Sequence, residues 1–375
     1  MSFCRARLAL CLAACTFAGM ARAADAPATA PATAAARKSM IDYFLPMPPR
    51  APLSNDAWGA PEVGPRDPAN GLEDRTNAKW CYWDGAVIRS ADGKYHLYAS
   101  RWDEKLGHRG WHQSLAVHAV ADDVMGPYED KGVCWPDSQN GKGHNVTALT
   151  MPDGRIAITI SETRPGEVFA SKSHDGPWES LGRITVAGEP RWKASNVTPV
   201  LRHDGQYMVV QRSGRIMLAS EITGPYVMQG PSIYPKVQGL TLENLEDPVA
   251  WRSGGLYHIV VNSWSQRKAF HLTSANGIDG WKLRGLAYDP TVDFLRYTDG
   301  TVNRWNKIER PAVVMHDGHV THFLFSVLDV PKDRERGNDR HGSKIIVVPF
   351  DGAALDRDLA EIVKREQADA PATQP

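Results

Sequence analysis

One unit recurs five times between residues 80 and 350, and it leaves little freedom for the fold. Each copy opens on a polar residue before an apolar run, turns tightly, and returns as a second apolar run. The copies begin Trp83-Asp84-Gly85-Ala86-Val87, His144-Asn145-Val146-Thr147-Ala148, Ser195-Asn196-Val197-Thr198-Pro199, Leu245-Glu246-Asp247-Pro248-Val249 and Ile308-Glu309-Arg310-Pro311-Ala312. The turns are Asp92-Gly93, Asp153-Gly154, Asp204-Gly205, Gly254-Gly255 and Asp317-Gly318. Asp-Gly between apolar runs is a strong hairpin signal, because both residues tolerate the backbone such turns need. A third run follows at 115–120, 168–171, 216–220, 269–273 and 344–350. A closing turn and a fourth run follow at Gly126-Pro127-Tyr128, Gly176-Pro177-Trp178, Gly224-Pro225-Tyr226 and Gly280-Trp281.

Four antiparallel strands repeated roughly every 50–60 residues describe an all-β, five-bladed β-propeller. One blade cannot bury its own faces, so neighbours must stack into a ring. The fifth copy lacks a fourth strand after Phe350, so the expectation is a ring closed by an N-terminal strand from within 40–79. The propeller domain then spans 40–367, its end at 356–367 reads as a short surface helix, and 368–375 reads as a disordered tail.

The N-terminus reads as a secretory signal over 1–23: Arg5 and Arg7, an apolar run from Leu8 to Met20, then Ala21-Arg22-Ala23. That run is too short to span a bilayer as a helix. A lipoprotein box, Leu12-Ala13-Ala14-Cys15, is the rival, but its apolar run is shorter still. The Ala/Pro/Thr-rich stretch 24–39 reads as a flexible linker. Export to the periplasm or medium follows. There Cys81 and Cys134 either pair, worth roughly 4 kcal/mol on a chain-entropy argument, or remain buried thiols.

Lys+Arg and Asp+Glu both number 43, so the net charge is zero, which gives no support for nucleic-acid binding or an anionic membrane surface. The 12 tryptophans are many for this length, and flat apolar faces suit both core packing and sugar stacking. A monomer with a carbohydrate substrate is expected.

In a propeller the first strand of each blade lines the axis. Counting back eight residues from each turn gives Asp84, Asn145, Asn196, Glu246 and Glu309, all polar, expected at one level around a funnel. The returning strands place Arg101, Trp102, Glu162, Arg164, Arg212, Ser263, Trp264 and Asp329 near the same mouth. Two carboxylates across such an axis, Asp84 in blade one and Glu246 in blade four, are the equipment of glycoside hydrolysis: one donates a proton, the other activates water. A gap wide enough for that water favours inversion of configuration.

The pattern resembles the five-bladed propeller glycosidases of glycoside hydrolase family 43 and its relatives, over most of residues 80–350. Trp83-Asp84-Gly85 matches the family's blade-one Asp, which the resemblance makes the general base. Leu245-Glu246-Asp247-Pro248 matches its blade-four Glu, the general acid. The family carries a third acid in blade three that orients and tunes the second; here that position is Asn196. The resemblance thus implies Asp84, Glu246 and Asn196 as the catalytic set; the register and the strand ends at the mouth add Trp83, His144, Asn145, Arg101, Arg164, Arg212, Trp264, Glu309 and Arg310 as substrate-binding candidates. The resemblance implies no required cofactor, and leaves room for a structural cation near the axis. No cluster with metal spacing stands out in the sequence: His112, His118, His319, His322 and His341 are scattered.

Arginines near the mouth suggest a sugar with a carboxylate, since guanidinium binds carboxylates bidentately. Alternatives stay open: a lyase using His144 on a uronate glycan, phosphorolysis (disfavoured by export), or a non-catalytic sugar-binding propeller. The charged stretch 333–342 reads as a specificity loop.

Overall fold

The computed structural model describes residues 38–55 and 58–369. The expected leader, Cys15, nearly all of the linker and the end of the tail lie outside the described residues. Among those described, no helix is long and apolar enough to cross a membrane.

Five antiparallel sheets form, each running outward in chain order. Blade one is β1 (Trp80–Arg89), β2 (Tyr95–Asp103), β3 (Leu115–Ala121) and β4 (Glu129–Val133). Blade two is β5 (His144–Thr150), β6 (Ile156–Glu162), β7 (Glu167–Ser171) and β8 (Glu179–Arg183). Blade three is β9 (Thr198–Leu201), β10 (Tyr207–Val210), β11 (Ile216–Ala219) and β12 (Val227–Met228). Blade four is β13 (Leu245–Ser253), β14 (Leu256–Ser263), β15 (Lys268–Ser274) and β16 (Lys282–Tyr288). Blade five has three strands, β17 (Lys307–His316), β18 (His319–Leu328) and β19 (Ser343–Pro349). First strands contact one another around the ring, and β17 meets β1.

Sequence explains this layering. Middle strands such as β14, Leu-Tyr-His-Ile-Val-Val-Asn-Ser, are buried on both faces between stacked blades and are rich in β-branched residues. Outer strands such as β8, Glu-Ser-Leu-Gly-Arg, are largely exposed and charged, which protects a free edge from pairing.

The fourth place of blade five is not filled by a regular strand, which corrects the expected N-terminal closing strand. Instead an N-terminal segment meets β19 through one isolated bridge, Leu72–Ile345. The Asn70 amide fixes both backbone groups of Val347, accepting from its N–H at 2.8 Å and donating to its carbonyl at 2.9 Å. Lys344 and Glu73 form a buried ion pair at 2.7 Å. The chain there approaches too closely for a side chain: a Cβ on Gly71, which has φ +74°, would lie 1.9 Å from the Ile345 carbonyl oxygen. Gly71→Ala is therefore expected to cost about 2–4 kcal/mol in denaturant unfolding, through overpacking and left-handed strain. A loss below about 0.5 kcal/mol, the range of neutral surface changes, would contradict this close packing.

The C-terminal helix α1 (Gly352–Ala368) starts earlier than expected, where the Asp351 side chain accepts from Ala354 N–H. It is not purely a surface element: Leu355 and Leu359 enter the core, and buried Asp356 accepts from Ser253 Oγ at 2.9 Å. Cys81 and Cys134 are both free thiols, so the disulfide alternative is not realised.

One backbone feature recurs at the inner end of every blade. Asp84, Asn145, Asn196, Asp247 and Arg310 all have positive φ, between 47° and 55°. In blades one, four and five the ladder slips there, between Trp83 and Ala86, Glu246 and Val249, and Glu309 and Ala312. Asp and Asn tolerate this left-handed conformation better than other side-chain-bearing residues, so four of the five have a backbone reason to be there. The equivalent positions in blades four and five are therefore Asp247 and Arg310, one residue beyond the expected Glu246 and Glu309. Hairpin length explains the offset. Blades one to three close their turns across Ser90–Lys94, Met151–Arg155 and Arg202–Gln206, whereas Ser253 pairs with Leu256 and His316 with His319 across shorter loops.

Candidate active site

The five left-handed residues form an inner tier on the axis. Trp83, His144, Ser195, Glu246 and Glu309, each one residue earlier, form a second tier facing the mouth. This second tier, with Asn145, Asn196, Asp247 and Arg310, lines a cavity of about 290 Å³. Its remaining walls are Glu162, Arg212, His108, Trp111 and Lys332.

Glu246 is mostly buried, and its Oε2 lies 3.2 Å from Arg212 Nη2. Burial, then the charges of Asp247 and Glu309, push its carboxyl up to about 8, against the pull of Lys332 and Arg212. The shift favours its protonated form. Asn196 does not address Glu246. Its amide donates to Asp247, which also accepts from Arg310 Nη1 at 2.9 Å. The negative charge the resemblance expects from blade three is delivered here by Asp247, in the same strand as Glu246.

Asp84, the expected base, is fully buried and does not itself line the cavity; His144 and Asn145 do. The Asp84 Oδ2 accepts from Ser100 Oγ at 2.7 Å and from Asn145 N–H at 2.8 Å, while Oδ1 has no hydrogen-bond partner. Burial pushes its carboxyl up to about 7, opposed by the Arg310 charge and by these donors. His144 stands beside it, Nδ1 3.9 Å from Asp84 Oδ2, with its ring stacked on Trp111. Burial first, then the Arg310 charge, hold its imidazole well below the ordinary value, so it is neutral.

Glu309 is compensated rather than free. Lys332 binds its Oε2 and Lys307 lies 3.5 Å from its Oε1. Three carboxylates, Glu246, Asp247 and Glu309, lie within 4.8 Å of one another, so a metal-like cluster exists where none was read from sequence. Arg212, Arg310, Lys307 and Lys332 already supply its positive charge, and a cation near the axis would have to displace them. The donor set does not fit the structural cation that the resemblance leaves room for.

Three expected binding residues do not line this cavity. Arg101 pairs with Asp130 inside blade one and lies over Trp80. Arg164 is tied to Glu167 and Ser138. Trp264 is substantially exposed, and its carbonyl accepts from Lys307. Sequence reading missed His108, Trp111, Asp247 and Lys332 as lining residues. Asp247 was legible as an Asp before Pro248 in the repeat. Lys332 comes from the connection after β18, just before the stretch read as a specificity loop.

No family model matches the chain, and no curated protein does. Solved structures do. A family 117 glycoside hydrolase of the marine bacterium Zobellia galactanivorans superposes with TM-score 0.53 at 13% identity, covering 76% of this chain and 88% of that one. The catalytic domain of a family 62 α-L-arabinofuranosidase of Coprinopsis cinerea gives 0.51 at 12%, covering 76% and 95%. Another glycoside hydrolase gives 0.54 at 14%, covering 75% and 61%. The fold is that of the five-bladed propeller glycosidases, and the resemblance is remote.

Proposed function

We propose that the protein is an exported glycoside hydrolase acting with inversion on a glycan that contains a uronic acid. The observation that carries this reading is the pair of shifted carboxyls at one end of the axis. The protonated form of Glu246 is favoured, and Asp84 carries an oxygen with no protein partner. Glu246 donates its proton to the glycosidic oxygen as the bond from that oxygen to the anomeric carbon breaks. Asp84 takes a proton from the water that attacks the opposite face of that carbon. The charge is conserved: Glu246 ends ionised and Asp84 ends protonated, and solvent resets both.

Trp83 and Trp111 give the cavity an apolar wall, with the Trp111 ring held by stacking against His112 and His144. A cavity near 290 Å³ is at the small end for a ligand pocket, which suits exo action on one or two sugar units. Arg212 is the reason for choosing a uronate. Its side chain is 44% exposed, and its partner Glu246 is protonated in the active form. Its charge is then available to a substrate carboxylate.

The pH–rate profile tests this assignment. Asp84 must be ionised, so kcat/KM should rise through about 7. Glu246 must be protonated, so kcat/KM should fall through about 8. The result is a narrow bell. Asp247→Asn removes a negative charge beside Glu246, so the alkaline limb should move to lower pH by about one unit. An unmoved limb in a folded variant would contradict the tuning role of Asp247.

A second reading has one observation in its favour: neutral His144 lines the cavity while Asp84 lies behind it. As base it would remove the proton beside a uronate carboxylate, expelling the leaving sugar by β-elimination. That reading makes a lyase, and the products separate the two.

A further inference from the structure

A second carboxylate cluster lies outside the cavity, where the connection after β18 packs on the loop after β2. That loop contains two short 3-10 turns, Glu104–Leu106 and His108–Gln113. The two segments interlock through their backbones. His108 N–H donates to the Glu335 carbonyl at 3.2 Å, and Asn338 N–H donates to Glu104 Oε2 at 3.1 Å. A Cβ on Gly107 would lie 2.5 Å from Arg336, and one on Gly337 would lie 2.4 Å from Lys105. We propose that Glu104, Glu335 and Asp339 form a binding site for a hard divalent cation, best matched by Ca²⁺, that clamps these two segments together.

Two independent observations support the site. First, one ligand atom from each of the three residues lies within 4.8 Å of the others. Oxygens around one Ca²⁺ sit about 2.3–2.6 Å from the ion, so oxygens on opposite sides of it are separated by about twice that. Second, Glu104 and Glu335 are 2% and 3% exposed, and Glu104 Oε1 and Glu335 Oε2 have no hydrogen-bond partner. Two nearby groups are committed elsewhere: Lys105 pairs with Asp103, and His341 with Asp329. Among the described residues no ion pair is seen to reach the three carboxylates. Buried anions without countercharge are costly, and a cation removes that cost. The mouth cluster differs, because lysines and arginines already neutralise it.

The donor set is all oxygen, which selects Ca²⁺, Mg²⁺ or Mn²⁺ over metals that prefer nitrogen or sulfur. Mg²⁺ keeps most of its water and demands regular geometry, so a largely buried carboxylate cluster favours Ca²⁺. The consequence reaches the cavity, because the same two segments carry His108, Trp111 and Lys332 to its wall. A bound cation would hold that wall in place, whatever the reaction is.

The test uses the full protein, treated with chelator, dialysed, and titrated with CaCl₂ by calorimetry and thermal unfolding. One site is expected, and Tm should rise by about 3 °C or more at millimolar Ca²⁺. Glu335→Gln and Glu104→Gln should each lose that rise. In chelator both should melt no lower than wild type, because each removes a buried group whose charged form is disfavoured there. Absence of any rise in wild type up to about 10 mM, well above extracellular-module affinities, would overturn the proposal. So would a rise that persists in both variants, which would assign the ion to another position such as Glu246, Asp247 and Glu309.

Discussion

Replacing Glu246 with Gln is expected to lower kcat/KM about 10²–10⁴-fold, the usual contribution of a positioned general acid. Gln keeps the shape but cannot give up a proton. The loss should therefore depend on the leaving group. Substrates whose departing oxygen needs no protonation, such as activated aryl glycosides, should retain much of their rate, and the alkaline limb of the profile should vanish. Folding should survive. Glu246 has a raised pKa, so its ionisation costs stability, and that cost builds as pH rises from the ordinary value of 4.5 to about 8 and is fully present above it. Gln removes it, so the variant should melt no lower than wild type at pH 9. Uniform loss across all leaving groups would remove Glu246 from the acid role.

Asp84→Asn is the second large effect, expected to lower kcat about 10²–10⁴-fold without rescue by activated leaving groups. Its signature is different because water activation is needed whatever departs. The introduced amide oxygen can still accept from Ser100 Oγ and the Asn145 backbone, and Asn suits the left-handed backbone as well as Asp does. The fold should therefore hold, and the acid limb near 7 should disappear. Retention of wild-type rates would transfer the base role to a neighbour, with His144 the first candidate. His144→Ala then discriminates: a hydrolase should lose mainly affinity, whereas a lyase should lose turnover.

The propeller was legible because a hairpin announced by Gly turns recurs with constant order, and stacking five such units in a ring buries both faces of each. Blade five shows the limit of that reading. The chain does return to β19 from the N-terminal side, but the contact runs through the single Leu72–Ile345 bridge, the Asn70 side-chain bonds and one hydrogen bond from Leu45, which carry no strand pattern. The axial register was legible in blades one to three and displaced by one residue in blades four and five, where Gly254-Gly255 and Asp317-Gly318 make shorter loops. Counting from a turn assumes equal loops; the repeated left-handed backbone does not, and it reads Asp247 and Arg310 into the ring. That correction also answers what supports Glu246 when blade three offers only Asn196. Arg101 and Arg164 were misplaced for a different reason: an Arg at a strand end near a mouth has several carboxylates within reach, and sequence does not tell which it takes. Lys332 and the Glu104–Glu335–Asp339 cluster depend on the fold of one connection against another, so neither could be read from pattern.

Product analysis tests most directly whether this cavity hydrolyses a glycosidic bond using Glu246 and Asp84. Wild-type protein is incubated with a panel of uronate-containing glycans, and products are followed by ultraviolet absorbance and proton NMR at early times. The expected product is a saturated reducing sugar, first formed as the inverted anomer, with no new absorbance from an unsaturated uronate. An unsaturated uronate product, or a first-formed sugar of retained configuration, would contradict the assignment.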